Sequence, residues 1–103
     1  MYDMSWLKIR YFEVKLRDGK ILNVEPPRLN VLREIAKLSK QIDGLTEEGL
    51  TSLATAVSLA LSKNKENKKL NVKQIEDMLD LDDMYALLVK YFTWVGEIQN
   101  IKN

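Results

Sequence analysis

Cysteine and histidine are both absent from the 103 residues of this chain. Without cysteine there is no disulfide framework, no thiolate nucleophile and no zinc–thiolate site. Without histidine there is no Ser-His-Asp triad and no imidazole metal ligand. No side chain then has an ordinary pKa near neutrality. Catalysis would have to run on Asp, Glu, Lys or Tyr, so the expectation is a binding or structural protein and not an enzyme, with no cofactor and no metal. Glycine and proline are scarce, at four and two residues, which excludes a low-complexity chain. The net charge of +1 gives no global pull toward nucleic acid or an anionic membrane. Long hydrophobic runs are missing too. The longest, residues 53–61, is interrupted by Thr55 and Ser58 and falls far short of a bilayer span. The opening residues, Met1 to Trp6, carry neither a basic region nor a long apolar run, so no secretory signal is expected there.

What is present is ordinary for a globular domain: 46% hydrophobic and 30% charged residues. No internal repeat and no linker divides residues 1–103, so the chain reads as one domain. Residues 8–25 read as a β-hairpin. The first strand, residues 8–16, is rich in β-branched and aromatic side chains. Asp18-Gly19 then marks a turn, because glycine takes positive φ without a steric cost. Residues 21–25 return, and Pro26-Pro27 end the strand, since proline has no N–H to give a ladder. Alternation puts Phe12, Val14 and Leu16 on one face and Leu7, Ile9 and Tyr11 on the other. Either the strand bulges near Tyr11 or both faces are covered, by this chain or by another.

Residues 28–101 read as helical, with a polar loop at about 63–70. Val31, Ile35, Leu38 and Ile42 recur at helical spacing, and Gly44 is placed to end that helix. Thr46 is the expected N-cap of a second helix, with Glu47 and Glu48 favouring its positive end. Its apolar stripe is Leu50, Leu53, Ala54, Val57, Ala60 and Leu61. The small residues around that stripe suit a tightly packed central helix. Residues 63–69, KNKENKK, have no periodicity and are expected to be the least ordered and most readily cleaved segment. Asn71 with Gln74 three residues on predicts a capping box for a short third helix. A fourth helix starts at Asp80 or Asp82, with Met84, Leu87, Leu88, Tyr91, Phe92, Val95 and Ile98 facing inward. The fold class expected is α+β, mainly α: an N-terminal hairpin packed on about four helices.

Two charged clusters and one tryptophan invite a chemical reading. Glu76, Asp77, Asp80, Asp82 and Asp83 could hold magnesium or calcium, but an EF-hand's glycine and distant glutamate are missing. Carboxylates at a helix start also cap free N–H groups. Lys63, Lys65, Lys68, Lys69 and Lys73, diluted by Glu66, could touch phosphates. The segment has no arginine and no interleaved aromatic for stacking, so nucleic acid is the alternative and not the leading partner. The adjoining basic and acidic runs could favour head-to-tail self-association. Trp94 lies off the inward stripe, where it is either an interface anchor or core in a helix buried on two sides.

The whole layout resembles the small tail assembly chaperones of long-tailed bacteriophages and prophages. The residues that carry the likeness are the D-G-K turn at Asp18, the run E-P-P-R-L-N-V-L-R-E-I-A-K-L from Glu25, the polar connection, and I-E-D-M-L-D-L-D-D-M-Y-A-L-L-V-K-Y-F from Ile75. It spans about residues 8–95 and corresponds to the short, non-frameshifted product. The resemblance implies a helical, non-enzymatic, oligomer-forming protein of the bacterial host cytoplasm. Such a protein binds and solubilises the tape measure protein before the tail tube polymerises, with the tube protein as a further partner and no membrane. Leu7, Ile9, Tyr11 and Trp94 would then be partner-binding residues.

Overall fold

The turn at Asp18-Gly19 organises the N-terminal part of the structure, a computed structural model that describes residues 10–42 and 46–101, with side chains as far as Glu97. Gly19 sits at φ +87°, a backbone conformation open to glycine at little cost. The Leu16 N–H donates to Lys20 O at 2.8 Å, and the Asp18 carboxylate accepts from the Lys20 N–H at 3.0 Å. The flanking strands are β1 (Phe12–Lys15) and β2 (Ile21–Val24), antiparallel, with Phe12 opposite Val24 and Val14 opposite Leu22. The ladder pairs residue for residue, so no bulge falls within it. Phe12, Val14 and Leu16 turn toward the core while Glu13 and Lys15 are exposed. The first strand is shorter than its composition suggested: Arg10 and Tyr11 lie outside it, and Leu7 and Ile9 lie outside the described residues.

Four helices follow. They are α1 (Leu29–Lys40), α2 (Glu47–Ser62), α3 (Val72–Met78) and α4 (Leu81–Ile101). In α1 the expected stripe holds: Ile35 is fully buried, with Val31 and Leu38 packed against the core, and Lys37 and Lys40 favour the negative end of the helix. The expected stop at Gly44 lies outside the described residues. Thr46 caps α2 as expected, its hydroxyl accepting from the Gly49 N–H at 3.1 Å. α2 packs on α1, α3, α4 and β2. Ala54, Ala56 and Ala60, each at most 1% exposed, let these neighbours approach closely. Leu50 departs from its expected inward place and is 36% exposed. α3 opens on the capping box, with Asn71 Oδ1 and the Gln74 N–H at 2.9 Å and the reciprocal bond also at 2.9 Å. At the start of α4 the Asp83 carboxylate accepts from the Asp80 N–H at 3.1 Å, which identifies Asp80 as the cap.

The connection between α2 and α3 is where the structure departs most from the sequence reading. It is a hydrogen-bonded clasp, not a loose tether. Asn64 is 3% exposed and forms an isolated β-bridge with Val24. Its amide donates to Leu61 O and Lys68 O, and its Oδ1 accepts from the Lys68 N–H at 2.8 Å. Glu25 N–H donates to Lys63 O and Lys65 N–H to Asn23 O, both at 2.9 Å. Asn67 takes φ 56°, which asparagine tolerates better than most residues. The absence of hydrophobic periodicity marked this stretch correctly as neither helix nor regular strand. Polar side chains and backbone groups nevertheless pair into a fixed structure there. The whole is an α+β fold, mainly α, with α2 at its centre.

Candidate functional site

α4 carries two apolar faces. At about 100° per residue, Met84, Leu88, Tyr91 and Trp94 share the side turned to α2 and the hairpin, and all four are buried. On the opposite side Tyr85 is 38% and Val89 66% exposed. Half-buried Leu81, Phe92 and Gly96 continue that line at helical spacing. Thr93 lies beside it, its hydroxyl donating to Val89 O at 2.9 Å, so its polar group is satisfied within the helix. Asp82 and Glu97 border the strip. Such a surface, apolar along its length and charged along one margin, matches the face of an amphipathic helix. The sequence reading placed Leu87, Phe92 and Val95 inside, where they pack half-buried against the core, and assigned Tyr85 and Val89 to no face. The available signal was their spacing of four residues, away from the Met84–Leu88–Tyr91 line. The other exposed large hydrophobics among the described residues, Ile21, Leu29 and Leu50, stand on β2, α1 and α2.

Trp94 is a core residue. It is 8% exposed and stacks on Phe12, ring centroids 5.5 Å apart at 27°. This corrects the reading of Trp94 as a surface anchor: α4 is covered there by the hairpin, so its off-stripe position is also interior. Tyr11 is half-buried beneath the Lys65 ammonium, 5.7 Å from the ring centroid. Leu7 and Ile9, the other proposed partner residues, lie outside the described residues.

The basic segment is divided in its engagements. Lys63 Nζ donates to Pro26 O at 2.6 Å, and Lys65 lies over Tyr11. Lys68 is half-buried, whereas Lys69 and Lys73 are exposed. Glu66, in their midst, accepts from both the backbone and the side-chain amide of Asn23, and those bonds hold its carboxyl below the usual range.

The acidic run is organised by one arginine. Arg17, next to the hairpin turn, donates to the Asp83 carboxylate and lies 3.4 Å from Asp80. The hydrogen bond from Arg17, then that from the Asp80 N–H, lowers the Asp83 pKa. The Asp83 carboxylate therefore caps α4, and with Asp80 it pins the hairpin to that helix. Among the described residues no group of three or more acidic side chains is arranged to hold a metal ion. Beside this junction a cleft of about 290 Å³ runs between β1 and α4, walled by Val14, Leu79 and Leu87 with Arg17, Asp83 and Lys90 at its edge. Arg17 and Asp83 form an ion pair at that edge.

No family model, no curated protein and no solved structure matches this chain.

Proposed function

We propose that this chain is a non-enzymatic tail assembly chaperone, which binds and solubilises a phage tape measure protein before the tail tube polymerises. The observation that carries the reading is the outer face of α4, where Tyr85 and Val89 stand exposed between Leu81 and Gly96. A long helical partner presents repeated apolar stripes, and an apolar strip with a charged margin covers one of them without chemistry. Several copies along one target fit the self-association expected from the adjoining basic and acidic runs. The tube protein is the natural competitor that would displace them, and the setting is the cytoplasm of a bacterial host. The layout of hairpin, proline pair, helices and acidic cap supports this reading through the resemblance described above.

Co-expression tests it. The flanking DNA is read for a long coiled-coil frame just downstream, whose lack would overturn the proposal, and that frame is expressed with and without the chain. The expected result is a soluble complex holding several copies, lost on Val89→Asp while the free variant keeps its helical content. A partner that stays insoluble overturns the proposal. Binding instead to nucleic acid, weakening linearly with salt on a log–log plot, would assign the chain to the Lys63–Lys73 segment.

A further inference from the structure

The two strands of the hairpin are unequally covered. On the inner face Leu22 and Val24 of β2 are 1% and 0% exposed, whereas Val14 and Phe12, opposite them on β1, are half-buried. The backbones differ in the same way. The N–H and C=O of Asn23 and the N–H of Glu25 are engaged by the clasp, through Glu66, Lys65 and Lys63. Successive residues of a strand turn these groups to opposite sides, so Leu22 and Val24 turn theirs to β1, and Val14 and Phe12 turn theirs back to β2. Leu16, whose N–H donates to Lys20 O, keeps the same phase. The N–H and C=O groups of Glu13 and Lys15 therefore point away from β2. The sheet has only β1 and β2 among the described residues, and no described group bonds to those of Glu13 or Lys15.

The side chains of these two residues also lack charged partners. Both are exposed on the outer face, where Glu13 stands opposite Asn23 and Lys15 opposite Ile21. Among the described residues neither is in an ion pair. Opposite charges two positions apart, on the free side of a strand, form a pattern that complements itself when the strand is reversed.

We infer that two copies of this chain join through β1, antiparallel about a twofold axis at Val14. Glu13 of each copy then lies opposite Lys15 of the other. These are the residues whose backbone groups point outward, so each such pair exchanges both N–H···O bonds. On the inner face Val14 meets its counterpart and Phe12 meets Leu16, which covers the apolar surface left half-buried. The neighbouring registers fail. A slip of one residue sets outward-pointing groups against inward-pointing ones and turns the faces over. A slip of two sets Glu13 against Glu13 or Lys15 against Lys15, and like charges directly opposite are destabilising. The product is one sheet in the order β2–β1–β1–β2. It stops at two copies, because the clasp already occupies the far side of each β2. This contact is not the head-to-tail association suggested by the basic and acidic runs. It uses none of the outer face of α4, so it holds or fails separately from the partner proposed for that face.

Sedimentation velocity of the full chain over a range of concentrations tests the pairing. A monomer–dimer equilibrium is expected, weak because a strand edge buries little area. Glu13→Lys and Lys15→Glu, both at exposed positions, each set like charges opposite one another and are expected to weaken dimerisation about tenfold. The double exchange, Glu13→Lys with Lys15→Glu, is expected to restore it. Mixing the two single variants is expected to restore it as well, since the lysines of one copy then face the glutamates of the other. Hydrogen exchange gives a second reading: the Glu13 and Lys15 amides are expected to gain protection as concentration rises. A chain that stays monomeric at millimolar concentration, or a dimer indifferent to both single variants, would overturn the proposal. So would a mixture or a double exchange no more associated than the single variants. Protection of the two amides at every concentration would overturn it too, by showing that side covered from within one chain. Should a single variant fail to fold, the double exchange and the amide protection decide.

Discussion

Glu66 holds Asn23 at two points: its Oε1 accepts from the Asn23 backbone N–H and its Oε2 from the Asn23 side-chain amide, both at 2.9 Å. One carboxylate thereby ties the α2–α3 connection to β2, two segments that nothing in the hydrophobic pattern brings together. Both bonds need the ionised acceptor at full strength. Glu66→Gln puts an amide donor where one of the two acceptors was, so it is expected to lower the urea midpoint of unfolding without changing the slope.

The same pairing sets a pH dependence. Glu66 and Asp83 both have folded pKa values below their ordinary 4.5 and 3.8. A depressed carboxylate pKa contributes stability above the unfolded value and loses it as pH falls through the folded one. Stability is therefore expected to be level near neutrality and to decline below about pH 4.5. Glu66→Gln is expected to flatten part of that decline. Urea unfolding at a series of pH values measures both, and an unchanged profile in the variant would show that Glu66 titrates alike in both states.

Asn64 offers a sharper test of the clasp. It is buried and joins three backbone groups, so Asn64→Ala leaves Leu61 O, Lys68 O and the Lys68 N–H to find water. The expected loss is about 2 kcal/mol. Limited digestion with a lysine-specific protease gives a second reading: the native segment is expected to resist, and the variant to be cut between Lys63 and Lys69. Rapid cutting of the native chain would return the segment to the loose loop its composition suggests.

Trp94 and Val89 differ in kind although they share a helix. Trp94→Ala empties space against Phe12 and Tyr91 and is expected to cost about 3–5 kcal/mol. Val89→Asp changes an exposed position and is expected to shift stability by about 0.5 kcal/mol or less, while abolishing capture of the helical partner. Thermal unfolding beside co-purification separates the two roles. Val89→Asp that unfolds the chain would place that face in the core.

The α3 cap is a smaller term. Asn71→Ala removes one half of the capping box and is expected to cost about 1 kcal/mol, read by urea unfolding.

Where local chemistry decides the outcome, the sequence was a good guide. The Gly19 turn, the Thr46 cap, the Asn71–Gln74 box and the Val31–Ile35–Leu38 stripe each rest on residues no more than four positions from the next. The clasp was hidden because its bonds to β2 join residues far apart in the chain, and its local bonds, from Asn64 to Leu61 and Lys68, use polar atoms, which carry no periodicity. Trp94 was ambiguous because a helical wheel shows which residues share a face but not how many neighbours the helix has. With the hairpin on one flank and α2 on another, α4 buries more than one stripe, and Tyr85 and Val89 mark what remains uncovered.

The Val24–Asn64 bridge has one more effect. With Glu25 and Lys65 bonded alongside it, the outer margin of β2 is occupied by the chain's own backbone. A two-stranded ribbon normally offers an open margin on each side to a foreign strand. Among the described residues the β2 margin is closed and the β1 margin is not, so growth of the sheet by a second molecule would proceed along Phe12–Lys15, where charged Glu13 and Lys15 discourage flat, unregulated stacking. Domain exchange or fibre formation would thus be one-sided, and loosening Asn64 is the step that would make it two-sided.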